Sequence, residues 1–273
     1  MGPGSVENEE NPAIFVRLHF VTSLPLKSLN SLSIARPASL AARSFSIIMN
    51  AITRCLDTYW ASSIGKKLVV AITGIVLVLF LAGHLSGNLL MYVGREAFNE
   101  YAHFLHTALH GAGVWIARIV LLVMLVLHVV ATICLTRQNR AARQPYEFKA
   151  TIQASKSSRI MILTGLTILA FVVFHILHFT VRTDAQLAQI GQNDPFGMVV
   201  LGFKNPLVVI FYIISMTLLC SHLSHGVASI FQTLGVRSKK ASSAIQILAR
   251  LYTLFIWVGF ISIPISVLTG IIQ

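Results

Sequence analysis

Negative charge is almost missing from this chain. Asp and Glu together number 9 among 273 residues, and all charged residues make up 11%, less than half the roughly 25% of an ordinary soluble domain. So few groups cannot solvate a folded surface, which excludes a water-soluble globular enzyme. Cysteine is sparse as well. Cys55, Cys134 and Cys220 stand far apart and form neither a CxxC pair nor a cluster, which excludes a disulfide framework and a cysteine-held iron–sulfur centre. No GxGxxG loop is present, so a dinucleotide-binding turn is excluded too. Pro264 is the only proline well inside a predicted helix, and no convincing internal repeat stands out.

What the chain has instead is apolar length, with 55% hydrophobic residues. Crossing a hydrocarbon core about 30 Å thick takes roughly 20 helical residues, and five runs reach that length: about 68–93, 114–136, 160–181, 206–231 and 244–272. In lipid every backbone polar group must be paired within its own segment, so these runs are helices. The predicted fold is an all-α integral membrane bundle of five transmembrane helices over residues 49–273, the first four forming a four-helix bundle.

The net charge of +12 sorts to one side. Arg54, Lys66 and Lys67 precede run 1; Arg137, Arg140, Arg143, Lys149, Lys156 and Arg159 fill the link between runs 2 and 3; Arg237, Lys239, Lys240 and Arg250 follow run 4. The other side has only Arg95, Arg118, Arg182 and Lys204. A nucleic-acid patch does not distribute this way. The positive-inside rule puts the amino terminus in the cytoplasm and the carboxyl terminus outside. Residues 1–48, polar at VENEENP and then basic and Ser-rich at RPASLAARSFSII, read as a disordered extension, or translation starts at Met49. Transit peptides are poor in acids, and Glu7, Glu9 and Glu10 argue against one.

Histidines interrupt four of the apolar runs: His84, His128, His175 with His178, and His222 with His225. Ionisable residues in such a setting mark function. At 1.5 Å per residue, His84 lies about 25 Å outward from Lys67 and His175 about 24 Å outward from Arg159. Runs 2 and 4 point inward, with His128 about 20 Å from Trp115 and His222 about 24 Å from Pro206. Two tiers result, each with a histidine from two helices. Paired neutral imidazoles on rigid helices are what bis-histidine haem ligation needs, and two tiers describe an electron path across a membrane. No CxxCH is present for covalent attachment. The bland alternative is that each ring only hydrogen-bonds a neighbouring helix. Gly74, Gly83, Gly87, Gly165 and Gly226 could open space for a porphyrin or serve close helix packing.

The chain resembles the single-chain, five-helix, diheme cytochrome b membrane subunit of succinate:quinone oxidoreductases. The resemblance covers about Thr58 to the end and rests on GKK before run 1, HLSGN in run 1, REAFNEYAHFLH after it, His128 in run 2, FHILH in run 3 and HLSHG in run 4. It implies two non-covalent b haems: His84 and His175 ligate the outer iron, His128 and His222 the inner. On run 4 the motif favours His222. Distance from Arg237 favours His225, about 18 Å against about 22 Å, where His128 stands about 14 Å from Arg137. His178 falls outside the ligand pattern and reads as a bonded helix-end histidine.

The resemblance further implies an anchor and electron carrier in a bacterial cytoplasmic membrane. An FAD-containing flavoprotein would oxidise succinate, an iron–sulfur subunit on the cytoplasmic side would pass the electrons on, and this chain would deliver them to quinone, with menaquinone the type implied. Dicarboxylate chemistry would lie on those other subunits. Quinone reduction needs protons as well as electrons, and Glu96, Glu100, His103, His106 and His110 gather exchangeable protons in the outer loop; Glu96, Glu100 and His106 are the candidate quinone and proton site, or else part of a solvated loop. Arg118 and Arg182 are candidate partners for outer haem propionates, and Lys66, Lys67 and Arg159 for inner ones, with interfacial snorkelling the alternative. Two other classes stay open. One is a cytochrome b subunit of another dehydrogenase or hydrogenase; the other is a haem-free transporter with intramembrane histidines.

Overall fold

A computed structural model describes residues 45–47, 49, 50, 53, 54, 57–142, 156–236, 238 and 241–273, with backbone only for 156–159. The chain divides into two units, 1–53 and 54–273. All five membrane-length stretches belong to the second. Nearly all of the expected extension, 1–48, lies outside the described residues.

The described elements are helical throughout. They run α1 (Ser63–Asn88), α2 (Arg95–Thr107), α3 (Ala112–Ala141), α4 (Lys156–His175), α5 (Ala185–Ile190), α6 (Pro195–Gly202), α7 (Pro206–Thr233) and α8 (Ala241–Leu268). Five stretches are long and apolar enough to cross a membrane, built on α1, α3, α4, α7 and α8. The protein is an all-α membrane bundle.

Local chemistry sets where each crossing begins. The Ser62 hydroxyl accepts from Gly65 N at 2.9 Å, capping α1 five residues before the apolar run starts. Asn205 Oδ1 accepts from Leu207 N at 2.9 Å, and Pro206 stands at the first helical position, where its missing N–H costs nothing. Between α2 and α3, Leu109, His110 and Gly111 have φ of 52°, 55° and 84°; this left-handed run reverses the chain sharply. The run from 160 does not stay α-helical to its end, because residues Ile176–Val181 form a π turn. Such turns recur at functional sites.

Lipid gives helices no hydrophobic reason to associate, so close packing and interhelical hydrogen bonds must hold them. α1 packs on α3, α7 and α8, α7 packs on α4 and α8, and α3 meets α4 only slightly. The fifth crossing is thus no appendage. Ile256 of α8 is fully buried beside Leu85 of α1 and Val209 of α7, Gly259 of α8 lies against the Leu85 side chain, and the Tyr252 hydroxyl donates to the Val78 carbonyl at 2.6 Å. The core gathers between α1, α7 and α8, closed at one end by Phe196, Val199 and Val200 of α6. That end, carrying α2, α5 and α6, is the loop-helix end. The opposite one, flanked by Lys66, Lys67 and the backbone of Arg159, is the basic end.

A histidine ladder through the bundle

Two sets of histidines occupy two levels. Near the loop-helix end, α1 and α4 present His84 and His175 to each other with ring centroids 5.9 Å apart and planes at 81°. Phe80 stacks on His84 at 5.3 Å and Phe260 of α8 lies at 5.7 Å, while Phe171 stacks on His175 at 5.9 Å. Two imidazoles on opposite sides of one metal, each bond about 2 Å long, hold their ring centres about 6 Å apart. The separation of His84 and His175 therefore fits axial ligation of one haem iron. Gly83 is exposed on the outer surface of α1, where a β-carbon would meet nothing within 4 Å. The residues present fit the group.

Polar partners fix these rings. Tyr212 of α7 places its hydroxyl 3.2 Å from His175 Nδ1 and 3.0 Å from His178 Nδ1, so His178 is a bonded helix-end residue. Asn88 donates to the His84 carbonyl at 2.7 Å and lies 3.4 Å from both of its ring nitrogens.

Nearer the basic end, His128 of α3 meets α1, with its Nδ1 3.0 Å from Thr73 Oγ1. His222 of α7 meets α4 in the same way, Nδ1 lying 3.3 Å from Thr164 Oγ1. Glycines admit both rings: a β-carbon on Gly74 would sit 3.6 Å from His128 Cε1, and one on Gly165 3.4 Å from His222 Cε1. His222 and His128 are within electrostatic reach of each other. Among the described residues His222 engages α4 through Thr164. Gly226 faces open space, whereas Gly87 accommodates Tyr101 and so serves packing.

The remaining candidates are not brought to the rings. Glu96, Glu100, His103, His106 and His110 are all exposed. Glu96, Glu100 and His103 recur at helical spacing along one face of α2, and no contact joins them to His84 or His175 among the described residues. Arg118 lies over the Trp115 ring at 5.1 Å. The Arg182 guanidinium lies near Gly191. Lys66 is only 3% exposed and donates to the Ala61 carbonyl at 3.2 Å. Lys67 is exposed, and the Arg159 side chain lies outside the described residues.

Thr73, Thr164 and Tyr212 were not among the sequence candidates. A signal for the threonines exists: α1 and α4 both read Thr-Gly followed, eleven residues after the threonine, by histidine, Thr73 to His84 and Thr164 to His175. Also missed was a clamp between α2 and α6. Arg95 pairs with Asp194, Asn99 Nδ2 donates to Asp194 Oδ1 at 2.8 Å, and Asn99 Oδ1 accepts from Phe196 N at 2.8 Å. Partial burial pushes the Asp194 carboxyl up, but bonds from Asn99 and Gly197 N and the charge of Arg95 outweigh it and hold it below the ordinary value of 3.8.

Residues 134–258 match the family model for the succinate dehydrogenase/fumarate reductase transmembrane subunit. Over that stretch, which holds His175 and His222 but neither His84 nor His128, the chain is similar to that family. No curated protein matches the chain, and no solved structure does.

Proposed function

We propose that this chain is the membrane subunit of a succinate dehydrogenase or fumarate reductase, holding two b haems that carry electrons between a soluble iron–sulfur partner and membrane quinone. The observation that carries the reading is the facing of His84 and His175 at 5.9 Å; His128 and His222 meet Thr73 and Thr164, about 16 Å further along α1 by the rise from Thr73 to His84. When bound, each haem supplies a one-electron couple.

The work of the chain's own residues is to hold and insulate. Nitrogens of His84 and His175, and of His128 and His222, would hold the two haem irons, and Phe80, Phe171 and Phe260 keep water from the loop-helix tier. Arg118, Arg182, Lys66 and Arg159 supply cations for propionates at the two ends. Glu96, Glu100 and His106 exchange protons for a quinone, of the menaquinone type, at the loop-helix end. The distribution of basic residues supports a cytoplasmic amino terminus and an outside carboxyl terminus in a bacterial cytoplasmic membrane, with flavoprotein and iron–sulfur subunits docked on the basic end.

A pyridine haemochrome assay on the purified membrane chain tests this, repeated for His84→Ala, His128→Ala, His175→Ala and His222→Ala. Two b haems per wild-type chain, with one lost or perturbed in each variant, are expected. A well-folded wild-type chain without haem refutes the reading. Co-purification of a flavoprotein, rather than a molybdenum or nickel protein, tests the partners.

A further inference from the structure

Each ring at the basic tier faces a hydroxyl that has backbone acceptors of its own. Thr73 Oγ1 reaches the Val69 carbonyl at 2.7 Å and the Val70 carbonyl at 3.2 Å, and Thr164 Oγ1 the Met161 and Ile160 carbonyls at 3.1 and 3.2 Å. A threonine hydroxyl has one proton. When a backbone carbonyl takes that proton, the oxygen 3.0 Å from His128 Nδ1 or 3.3 Å from His222 Nδ1 accepts, and Nδ1 carries the hydrogen. Thr73 and Thr164 are 2% and 3% exposed, so water cannot substitute for either hydroxyl.

We infer that Thr73 and Thr164 are positioning residues that fix His128 and His222 in the Nδ1–H tautomer, presenting an unprotonated Nε2 to the inner haem iron and setting that haem's potential. This deepens the proposed function and rests on it. Each helix that gives a ligand to one tier thereby orients a ligand of the other: α1 carries His84 and Thr73, α4 carries His175 and Thr164. A metal-bound imidazole that donates from its second nitrogen becomes the stronger base, which favours ferric over ferrous iron. Removing the acceptor shifts the balance toward reduction.

The test is a redox titration of the intact membrane complex carrying Thr73→Val, Thr164→Val, both together, or Thr73→Ser and Thr164→Ser. Each valine is expected to raise the inner-haem midpoint, up to about tenfold in the ferric–ferrous equilibrium or about 59 mV, with the double variant further shifted. Serine should restore it, and the outer haem serves as an unmoved internal reference. Loss of the inner haem from valine but not serine variants carries the same conclusion. The assignment is overturned by an unmoved inner midpoint with both haems present, by serine behaving as valine does, or by equal shifts at both tiers. A wild-type complex without haem overturns the proposed function, and the assignment with it.

Discussion

Replacing Asp194 should loosen the loop-helix end in two measurably different degrees. Its carboxylate caps α6 by accepting from Gly197 N at 3.0 Å, accepts from Asn99 at 2.8 Å, and pairs with Arg95. A lost N-cap costs about 1 kcal/mol, and a hydrogen bond to a charged group contributes about 1.5 kcal/mol or more. The ion pair adds under about 1 kcal/mol, because the Arg95 side chain is 53% exposed. Asp194→Ala should thus destabilise the α2–α6 contact by about 3 kcal/mol, roughly a hundredfold in local opening. Asp194→Asn keeps a side-chain acceptor for the cap and loses the charge, so about 1 kcal/mol is expected. Hydrogen exchange at the Phe196 and Gly197 amides reads both. The carboxyl is held below 3.8, so its stabilisation is fully present above 3.8 and is lost as pH falls through the lowered value. Acidification should lower the protection factors of these amides in wild type and leave those of Asp194→Asn comparatively flat. Equal effects of alanine and asparagine, or equal acid sensitivity of wild type and Asp194→Asn, would refute the assignment.

Other outcomes are expected elsewhere. A β-carbon at position 259 would lie 2.6 Å from Leu85 Cδ2, and Leu85 is fully buried. Gly259→Ala should therefore cost about 1–3 kcal/mol by overpacking in detergent unfolding, and Leu85→Ala in the same chain should recover part of it. His178→Ala should keep the haem that His175→Ala loses, because it is the His175 ring that faces His84; absorption spectra of the two variants decide it. Lys66→Met retains the buried stem and loses the bond to the Ala61 carbonyl, and should lower stability by about 1 kcal/mol in the same unfolding assay.

Much of the fold was legible because lipid imposes a simple rule. A run that must pair its own backbone over about 30 Å has to be a helix, and the observed crossings begin and end within a few residues of the apolar runs. The differences sit where a local bond acts: Ser62 starts α1 early, and the π turn over Ile176–Val181 alters the end of the α4 span. The exposed face of α2 was legible as a set of titratable residues, but their number does not tell that none of them contacts His84 or His175 among the described residues.

By itself the sequence determined the class of structure, five apolar helices with a histidine in each of the first four crossings, since length, hydropathy and axial rise are properties of each segment alone. Only the tertiary structure decided what those histidines face. The partners of His128 and His222 are threonines 55 and 58 residues away, and the rotation of each helix about its axis depends on small residues such as Gly74 and Gly165 meeting a particular neighbour. The repeated spacing of Thr73 to His84 and Thr164 to His175 was written in the chain. Its meaning came from packing, which set α3 against α1 and α7 against α4 so that the two threonines meet the two rings.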